Sequence, residues 1–411
     1  MHYTSIKNCR ACNSKNKEII LDLGKIAYTG KFPKLAKTEI PKSPLKLIIC
    51  KDCKFVQLAH KFQSNYLYNA EYGYESGVNS TMKKHLSEIT KKIIKLKKLD
   101  KNSIVLDIAS NDGTLLNSYP KKIIKIGIDP ILKRFKKNYK NIQYSIPNFF
   151  TYKNFRKLNI KKKLDVITAF AVFYDLNNPN KFLKDIKKIL KHDGIVVLEQ
   201  SNLGKMLELN SFDTICQEHY GYYSTKVIMN LLKKNKFKIF NHEFNDSNGG
   251  SSRYFIKHSE NKTLKENKKN IKKALDYEKK IKIDKLQTYK NFEKNILNLK
   301  NKCKNFFEKA RKDSNVVHGY GASTKGNVIL QYFDITNSDI EYISERNPFK
   351  YNRYTPGTKI KIISEKNSRK KKPDYYFVLP WHFKKEILKR EEKARKQGVK
   401  FIFPLPKFEM I

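Results

Sequence analysis

Between Ser103 and Lys257, short apolar runs rich in β-branched residues alternate with stretches whose apolar positions recur at helical spacing. The runs Ile104 to Ile108, Lys125 to Asp129, Leu164 to Phe170, Gly194 to Glu199 and Arg253 to Lys257 predict strands, several with helices between them. Such alternation implies an α/β unit with a mainly parallel sheet, helices on both faces, and ligands bound beyond the carboxyl ends of its strands. A second unit of the same kind begins at Asn315, where a strand leads through Gly319-Tyr320-Gly321-Ala322-Ser323-Thr324-Lys325-Gly326 into a helix. Tyr342 to Glu345, Asn347 to Lys350, Tyr354 to Thr358 and Pro373 to Phe383 then read as strands and strand-end loops of a smaller sheet. Joining the two units, residues 259–312 are lysine-rich and proline-free with Leu, Ile, Phe and Tyr at helical spacing, which predicts one or two long helices with a solvated charged face. The expected division is therefore 1–62, 63–258, 259–312 and 313–411.

The first turn of the central unit, Ala109-Ser110-Asn111-Asp112-Gly113, is built of small residues. Small side chains let a ligand approach backbone N–H groups at a helix start. Asp129, at the tip of the next strand, is placed to accept from ribose hydroxyls, as the acid about 20 positions downstream does in nucleotide-binding βαβ units. Asp107 stands at the first strand's end, and no G-x-G-x-x-G follows it, so a nucleoside bearing an amino acid fits better than a dinucleotide. The pattern resembles the D/E-x-G-x-G-x-G loop of class I S-adenosylmethionine methyltransferases, with Ala109 and Asn111 in place of two glycines.

Charge changes the picture less than its size suggests. The net charge of +47, from 86 Lys and Arg against 39 Asp and Glu, raises nucleic-acid binding. Yet the cations run the whole length, and lysine, asparagine, isoleucine and tyrosine abound together, as an A+T-rich coding bias produces. Attraction to phosphorylated ligands remains. Four of six cysteines form two C-x-x-C pairs, Cys9 with Cys12 and Cys50 with Cys53, which is the donor set of a closed, structural zinc site. Cys216 and Cys303 are isolated, as in a reducing cytoplasm. The N-terminus lacks the apolar stretch of a signal peptide, and no run is long enough to span a membrane.

Candidate chemistry lies in three further stretches. Tyr72, Tyr74, Ser76, Asn79 and Ser80 crowd a polar loop ahead of an amphipathic helix, either covering a site or leading into the helix. Asn210 to Ser224 gathers Asp213, Glu218, His219, Tyr222 and Tyr223; His219 suits proton abstraction near neutral pH, while adjacent Glu218 diverges from it. Phe244 to Ser252, rich in glycine and serine, either bounds the cofactor site or only turns the chain. Phe173, after the third strand, is a candidate neighbour of an adenine, and Ser323, Thr324 and Lys325 sit in a turn suited to phosphate.

Taken in order, the two C-x-x-C pairs, YGYESGVNSTMKKH, VLDIASNDGTLL with GIDP, FDTICQEH, GYGASTKGN, NPFKYNRYTPGT and PDYYFVLPWHF resemble the three-domain sugar C-methyltransferases that act on nucleotide-linked 4-keto deoxysugars. The resemblance spans nearly the entire chain. It implies a zinc-binding N-terminal domain, a central S-adenosylmethionine domain of class I Rossmann-like fold, and a second Rossmann-like C-terminal domain that helps hold the nucleotide sugar. It also implies that the histidine of the E-H pair, here His219 beside Glu218, removes the proton next to the ketone. On this reading Glu218, His219, Tyr222 and Tyr74 are the catalytic candidates. Asp107, Ser110, Asn111, Gly113, Asp129, Asn148, Phe149 and Phe173 are the cofactor contacts, and Ser76, Asn79, Tyr320, Ser323 and Lys325 the substrate contacts. Two departures stand out: Cys216-Gln217 replaces a Tyr-His that often precedes the E-H pair, and Asn148 stands where an acid often precedes the aromatics. The competing readings are methyl transfer to oxygen and a zinc-containing RNA methyltransferase or nucleic-acid binder.

Overall fold

The structure, a computed structural model, describes residues 3–68 and 73–411; Tyr72, one of the polar-loop residues above, lies outside them. The five expected central strands form as Ile104–Ile108, Ile124–Ile128, Leu164–Phe170, Leu190–Ser201 and Ser251–His258. Two further strands, Tyr144–Ile146 and Phe237–Asn245, complete a seven-stranded sheet. Across the sheet the order is 237–245, 251–258, 190–201, 164–170, 104–108, 124–128, 144–146, parallel throughout except where 251–258 pairs with its two neighbours. Every residue of Ile104–Ile108 is buried, because alternate side chains enter two different cores. Val105 packs with Leu86, Ile89 and Ile93 of helix Ser80–Lys97, whereas Leu106 packs on the opposite face with Phe182, Ile186 and Val227 of helices Pro179–Ile189 and Thr225–Lys234.

Strand Ile104–Ile108 lies between Ile124–Ile128 and Leu164–Phe170. The chain therefore leaves it toward opposite sides, opening a crevice at its carboxyl end. The C-terminal sheet repeats the arrangement with six strands, ordered 361–364, 342–345, 317–320, 375–378, 400–403, 409–410; only the last is antiparallel. Val317–Tyr320 is its switch strand. The lysine-rich connection forms two helices, Lys268–Ile281 and Leu286–Lys312.

At the N-terminus, Lys17–Ala27, Lys42–Cys50 and Val56–Leu58 form an antiparallel sheet whose fourth strand is Gly221–Tyr222. The segment carrying His219 is thus clamped into the cysteine-bearing sheet. One apolar cluster runs from Leu45 and Leu47 through Phe212, Ile215 and Tyr220 to Phe292, Phe306, Val328 and Phe377. Polar contacts cross the same junction: Asn327 Nδ2 donates to Thr29 O at 2.7 Å, and Gln331 both accepts from Ala27 N and donates to Ala27 O. Among the described residues no helix is long and apolar enough to cross a membrane.

Candidate active site

A cavity of about 280 Å³ opens at the switch point of the central sheet. Its floor is the turn after Ile104–Ile108. Ala109 and Asn111 take φ of 59° and 48°, and Gly113 takes 77°, so the two non-glycine residues keep the left-handed backbone of the glycines they replace. The turn does not, however, offer its N–H groups to a ligand as expected. Those of Ala109 and Ser110 donate to Ile128 O, that of Gly113 to Ser110 O, and that of Asn111 to Asp129 Oδ2. The helix that follows spans only Thr114–Asn117. Asp129 lines the cavity while its other oxygen accepts from Ile131 N, so its carboxylate is held in place from both ends. Burial raises its pKa, against those two N–H donors.

The polar loop ahead of helix Ser80–Lys97 docks on this turn. Asn111 accepts from Ser76 N and donates to Tyr74 O, and Asp112 accepts from Gly77 N at 2.6 Å. Tyr74 and Ser76 consequently line the cavity. Asn79 caps the helix, accepting from Thr81 N and Met82 N.

Other candidates fall outside the cavity wall. Asp107 is buried beneath it, accepts from Thr168 Oγ1 at 2.6 Å, and is pushed up to about 7 by burial. Ser110 Oγ accepts from the Tyr139 hydroxyl, and Gly113 is pressed against Tyr139 and Ile142. Asn148 is exposed and accepts from Phe149 N, and of these two only Phe149 lines the cavity. Phe173 does not line the cavity: at 1% exposure it packs on Phe182 and Tyr223 in the core, because Ala171 and Val172 take the cavity face of that turn.

His219 faces a separate small cavity of about 10 Å³, shared with Tyr174, Ser201, Thr214 and Tyr222. Consecutive residues line the two spaces, Tyr220 and His219, Asp175 and Tyr174, Gln200 and Ser201, so one layer of side chains divides them. The Tyr174 ring lies 4.2 Å from the imidazole. Nδ1 donates to Thr214 O at 2.7 Å, which leaves Nε2 as the basic nitrogen. Burial pulls the imidazole down to about 4, so it is neutral at physiological pH. Glu218 points the other way, its Oε1 against Gly30, and burial raises its pKa. Tyr222 donates to Thr214 O, and burial keeps it a phenol. Gln217 is a strut: it accepts from Thr29 N and Oγ1 and donates to Ile26 O and Ser43 Oγ.

A second cavity of about 200 Å³ lies at the switch point of the C-terminal sheet, lined by Tyr320, Ser323, Glu345, Arg346, Lys350 and Arg390 together with Tyr74 and Asn79. Glu345 repeats the role of Asp129, accepting from Ala322, Arg346 and Asn347 N–H groups. Tyr320's hydroxyl is engaged, donating to Glu391 and accepting from Arg390; Ser323 caps the following helix by accepting from Gly326 N. Lys325 turns from the cavity to Asn248 O and Asp213, which also accepts from Trp381 Nε1.

Cys9, Cys12, Cys50 and Cys53 bring their sulfurs within 4.8 Å of one another. The Cys9–Cys53 and Cys12–Cys50 separations, 3.7 and 3.6 Å, match the edge of about 3.8 Å of a tetrahedron with Zn–S bonds of about 2.3 Å. Four thiolates so placed fit a dication at their centre, and Gln57 Nε2 already donates to Cys9 Sγ.

Sequence reasoning assigned no role to Asp175, Gln200 or Tyr220, all of which line the large cavity, nor to Glu345, Lys350 and Arg390 in the second. Asp175 follows strand Leu164–Phe170 and Gln200 is the penultimate residue of Leu190–Ser201, and that strand-end position was the available signal. Ser247, Asn248 and Ser251 of the glycine-serine turn also bound the large cavity.

Comparison with known proteins divides the chain three ways. Residues 9–68 match a zinc-binding domain family, 78–242 a methyltransferase domain and 246–406 the C-methyltransferase C-terminal domain. The C-methyltransferase NovU of Streptomyces niveus is 24% identical over 371 residues, which cover 90% of this chain and 87% of its own. The tRNA U34 carboxymethyltransferase of Campylobacter fetus subsp. fetus (strain 82-40) is 28% identical over 156 residues, 34% of this chain and 52% of its own. A S-adenosylmethionine-dependent methyltransferase structure from Clostridium acetobutylicum ATCC 824 covers 43% of this chain and 91% of its own with a TM-score of 0.34 and 14% identity. With all three matched in order, the chain joins an N-terminal zinc-binding domain, a methyltransferase domain and a C-methyltransferase C-terminal domain, the organisation of a S-adenosylmethionine-dependent C-methyltransferase.

Proposed function

We propose that the protein methylates the carbon next to the ketone of a nucleotide-linked keto-deoxysugar, with His219 as general base. The observation that carries this reading is the meeting of two switch-point cavities at Tyr74, which lines both. A two-part substrate fits that layout: the sugar beside the methyl donor, and the nucleotide toward Glu345, Lys350 and Arg390. Domain limits near 62, 258 and 312 agree with it, since each cavity then belongs chiefly to one Rossmann-like unit.

S-adenosylmethionine at the central switch point supplies an electrophilic methyl group. The chain's task is to make a carbon nucleophilic, and a C–H becomes so only when an adjacent carbonyl can take the charge. Thr214 O fixes the tautomer of His219, burial keeps the ring neutral, and Nε2 is left to receive the proton. The layer that holds Tyr174 and Tyr220 divides Nε2 from the large cavity, so the reading requires that layer to move aside when substrate binds. Tyr74, Ser76 and Phe149 close the space over the donor, and Asp129 holds the turn beneath it.

Mass spectrometry of S-adenosylmethionine with a panel of keto-sugar nucleotides tests the substrate class through a gain of one methyl. His219→Ala should bind S-adenosylmethionine normally but lose both methyl transfer and deuterium exchange at the substrate carbon. Normal turnover in that variant would refute the base assignment.

A further inference from the structure

Gln200 is 2% exposed, lines the large cavity, and leaves both its amide nitrogen and its amide oxygen without a hydrogen-bond partner among the described residues. Asp175 lines the same cavity, and its Oδ1 is likewise buried and unpartnered among them. A buried polar group that nothing satisfies destabilises the fold, so such groups mark places where a ligand can bind. Both line the cavity from the carboxyl-end side of neighbouring strands. Gln200 follows Glu199, which is paired with Phe170 in the parallel ladder, and Ala171 N donates to Glu199 O at the start of the turn that ends in Asp175. Neither residue is needed to shape the turn over the cofactor, which Asp129, Asn111 and Asp112 hold. The neighbouring carboxylate differs: Glu199 is fully engaged by Arg253, His85 and Asn245.

We propose that the Gln200 amide and the Asp175 carboxyl are the donor pair that holds the oxygen of the reacting carbonyl as it takes on negative charge. The inference rests on the ketone reading given above. When the C–H bond breaks, its proton passes to His219 Nε2 and its electron pair moves into the new C=C bond, so the carbonyl π pair settles on oxygen. Gln200 Nε2–H and the Asp175 O–H each donate a hydrogen bond to that oxygen and keep their protons. As the carbon takes the methyl group, the methyl donor's S–CH3 bond would break with its electron pair left on sulfur, the C=O bond re-forms, and the two hydrogen-bond donors return to a neutral partner. Donors fixed in a water-poor space stabilise charge that appears only in the transition state. Burial, with Glu218 nearby, holds the Asp175 carboxyl well above the usual carboxylate range, against a hydrogen bond from Tyr68. That direction favours the carboxylic acid, the form with a proton to donate.

The test uses the full-length zinc-loaded protein with the keto-sugar panel, comparing wild type with Gln200→Ala, Gln200→Glu, Asp175→Ala and Asp175→Asn. Methyl transfer, solvent deuterium exchange at the substrate carbon, and S-adenosylmethionine affinity by calorimetry are read for each. Expected are losses of about 100-fold in kcat for Gln200→Ala and Asp175→Ala. Exchange should fall in parallel, and cofactor affinity should stay within about twofold. Gln200→Glu, nearly the same shape but presenting an acceptor, should be slower than Gln200→Ala. Asp175→Asn, which restores an N–H donor, should recover most of the loss. Two outcomes overturn the donor pair while leaving the ketone reading intact: variants that turn over a substrate as fast as wild type, or a Gln200→Ala loss confined to S-adenosylmethionine affinity. Wild type inactive on every keto sugar would bring down the ketone reading and the donor pair together.

Discussion

Arg10, inside the first cysteine knuckle, is the place to test how the zinc-binding sheet governs the His219 segment. Its guanidinium donates to Leu58 O at 2.6 Å, to His60 O at 2.7 Å, to Asn177 Oδ1 at 3.1 Å and to Gln57 Oε1 at 3.3 Å, and lies 4.9 Å from the Tyr220 ring centroid. Strand Val56–Leu58, which it grips, pairs with Gly221–Tyr222, and Leu58 N donates to Tyr220 O. Arg10→Ala leaves two strand carbonyls without their donor, at roughly 1 to 3 kcal/mol each, and removes a cation–π contact of roughly 0.5 to 2 kcal/mol. Some of that returns, because the buried guanidinium is itself ill at ease, pulled down to about 10 by loss of water. A net loss of roughly 2 to 4 kcal/mol in local stability should speed amide exchange in residues 220–222 by roughly 30- to 900-fold. Hydrogen–deuterium exchange read by mass spectrometry, with zinc content and S-adenosylmethionine affinity measured alongside, is the assay. Arg10→Lys should rescue little, since an ammonium cannot span four acceptors in a plane. Unchanged protection of 220–222 in Arg10→Ala would refute the coupling.

Removing zinc with a chelator should deprotect residues 56–62 and 220–222 while S-adenosylmethionine still binds, because the switch-point turn belongs to the other sheet; calorimetry and exchange check the pair. Gly77→Ala would set a Cβ 2.6 Å from Asp112 Oδ2 and 2.9 Å from Thr114 Oγ1, unseating the loop over the cofactor; its dissociation constant for S-adenosylmethionine should rise about tenfold, or roughly 1.4 kcal/mol. Asp129→Asn turns an amide N–H toward one of two backbone donors and should weaken the same binding at least as much, by calorimetry. Burial depresses the folded-state pKa of His60, His219, His242, His258, His318 and His382. The unfolded chain then binds more protons below its histidine pKa near 6.5, so the stability these residues supply is present above that value and lost as the pH falls toward about 4; thermal unfolding across that window should show the decline.

The central strands were readable where burial is complete on both faces. Ile104–Ile108 and Leu164–Phe170 occupy the positions their apolar runs mark, whereas Tyr144–Ile146 begins with two exposed residues and shows no such run. Gly221–Tyr222 could not be found from pattern, because a two-residue strand is defined by its partner, Val56–Leu58. For the site, the types of residue were informative and their directions were not. Phe173 and Val172 are neighbours on one turn, yet one enters the core and the other the cavity. Gln200 and Asp175 are marked in the sequence only by their places at and after strand ends; what sets them apart is burial without partners among the described residues, and burial comes from distant parts of the chain.

The replacement of Tyr-His by Cys216-Gln217 is consistent with the position of this segment between the sheets. Successive side chains from Cys216 to Tyr220 face different surroundings: Cys216 the shared apolar core, Gln217 the backbone of the N-terminal sheet, Glu218 Gly30, His219 the small inner cavity and Tyr220 the large one. A tyrosine at 216 would need room in a site with 0% exposure. Glutamine at 217 satisfies four polar groups that a histidine, with two ring nitrogens, could not all reach. The exchange therefore alters how the segment is anchored, while the geometry of His219, set by Thr214 O and by the Gly221–Tyr222 pairing, depends on neither position.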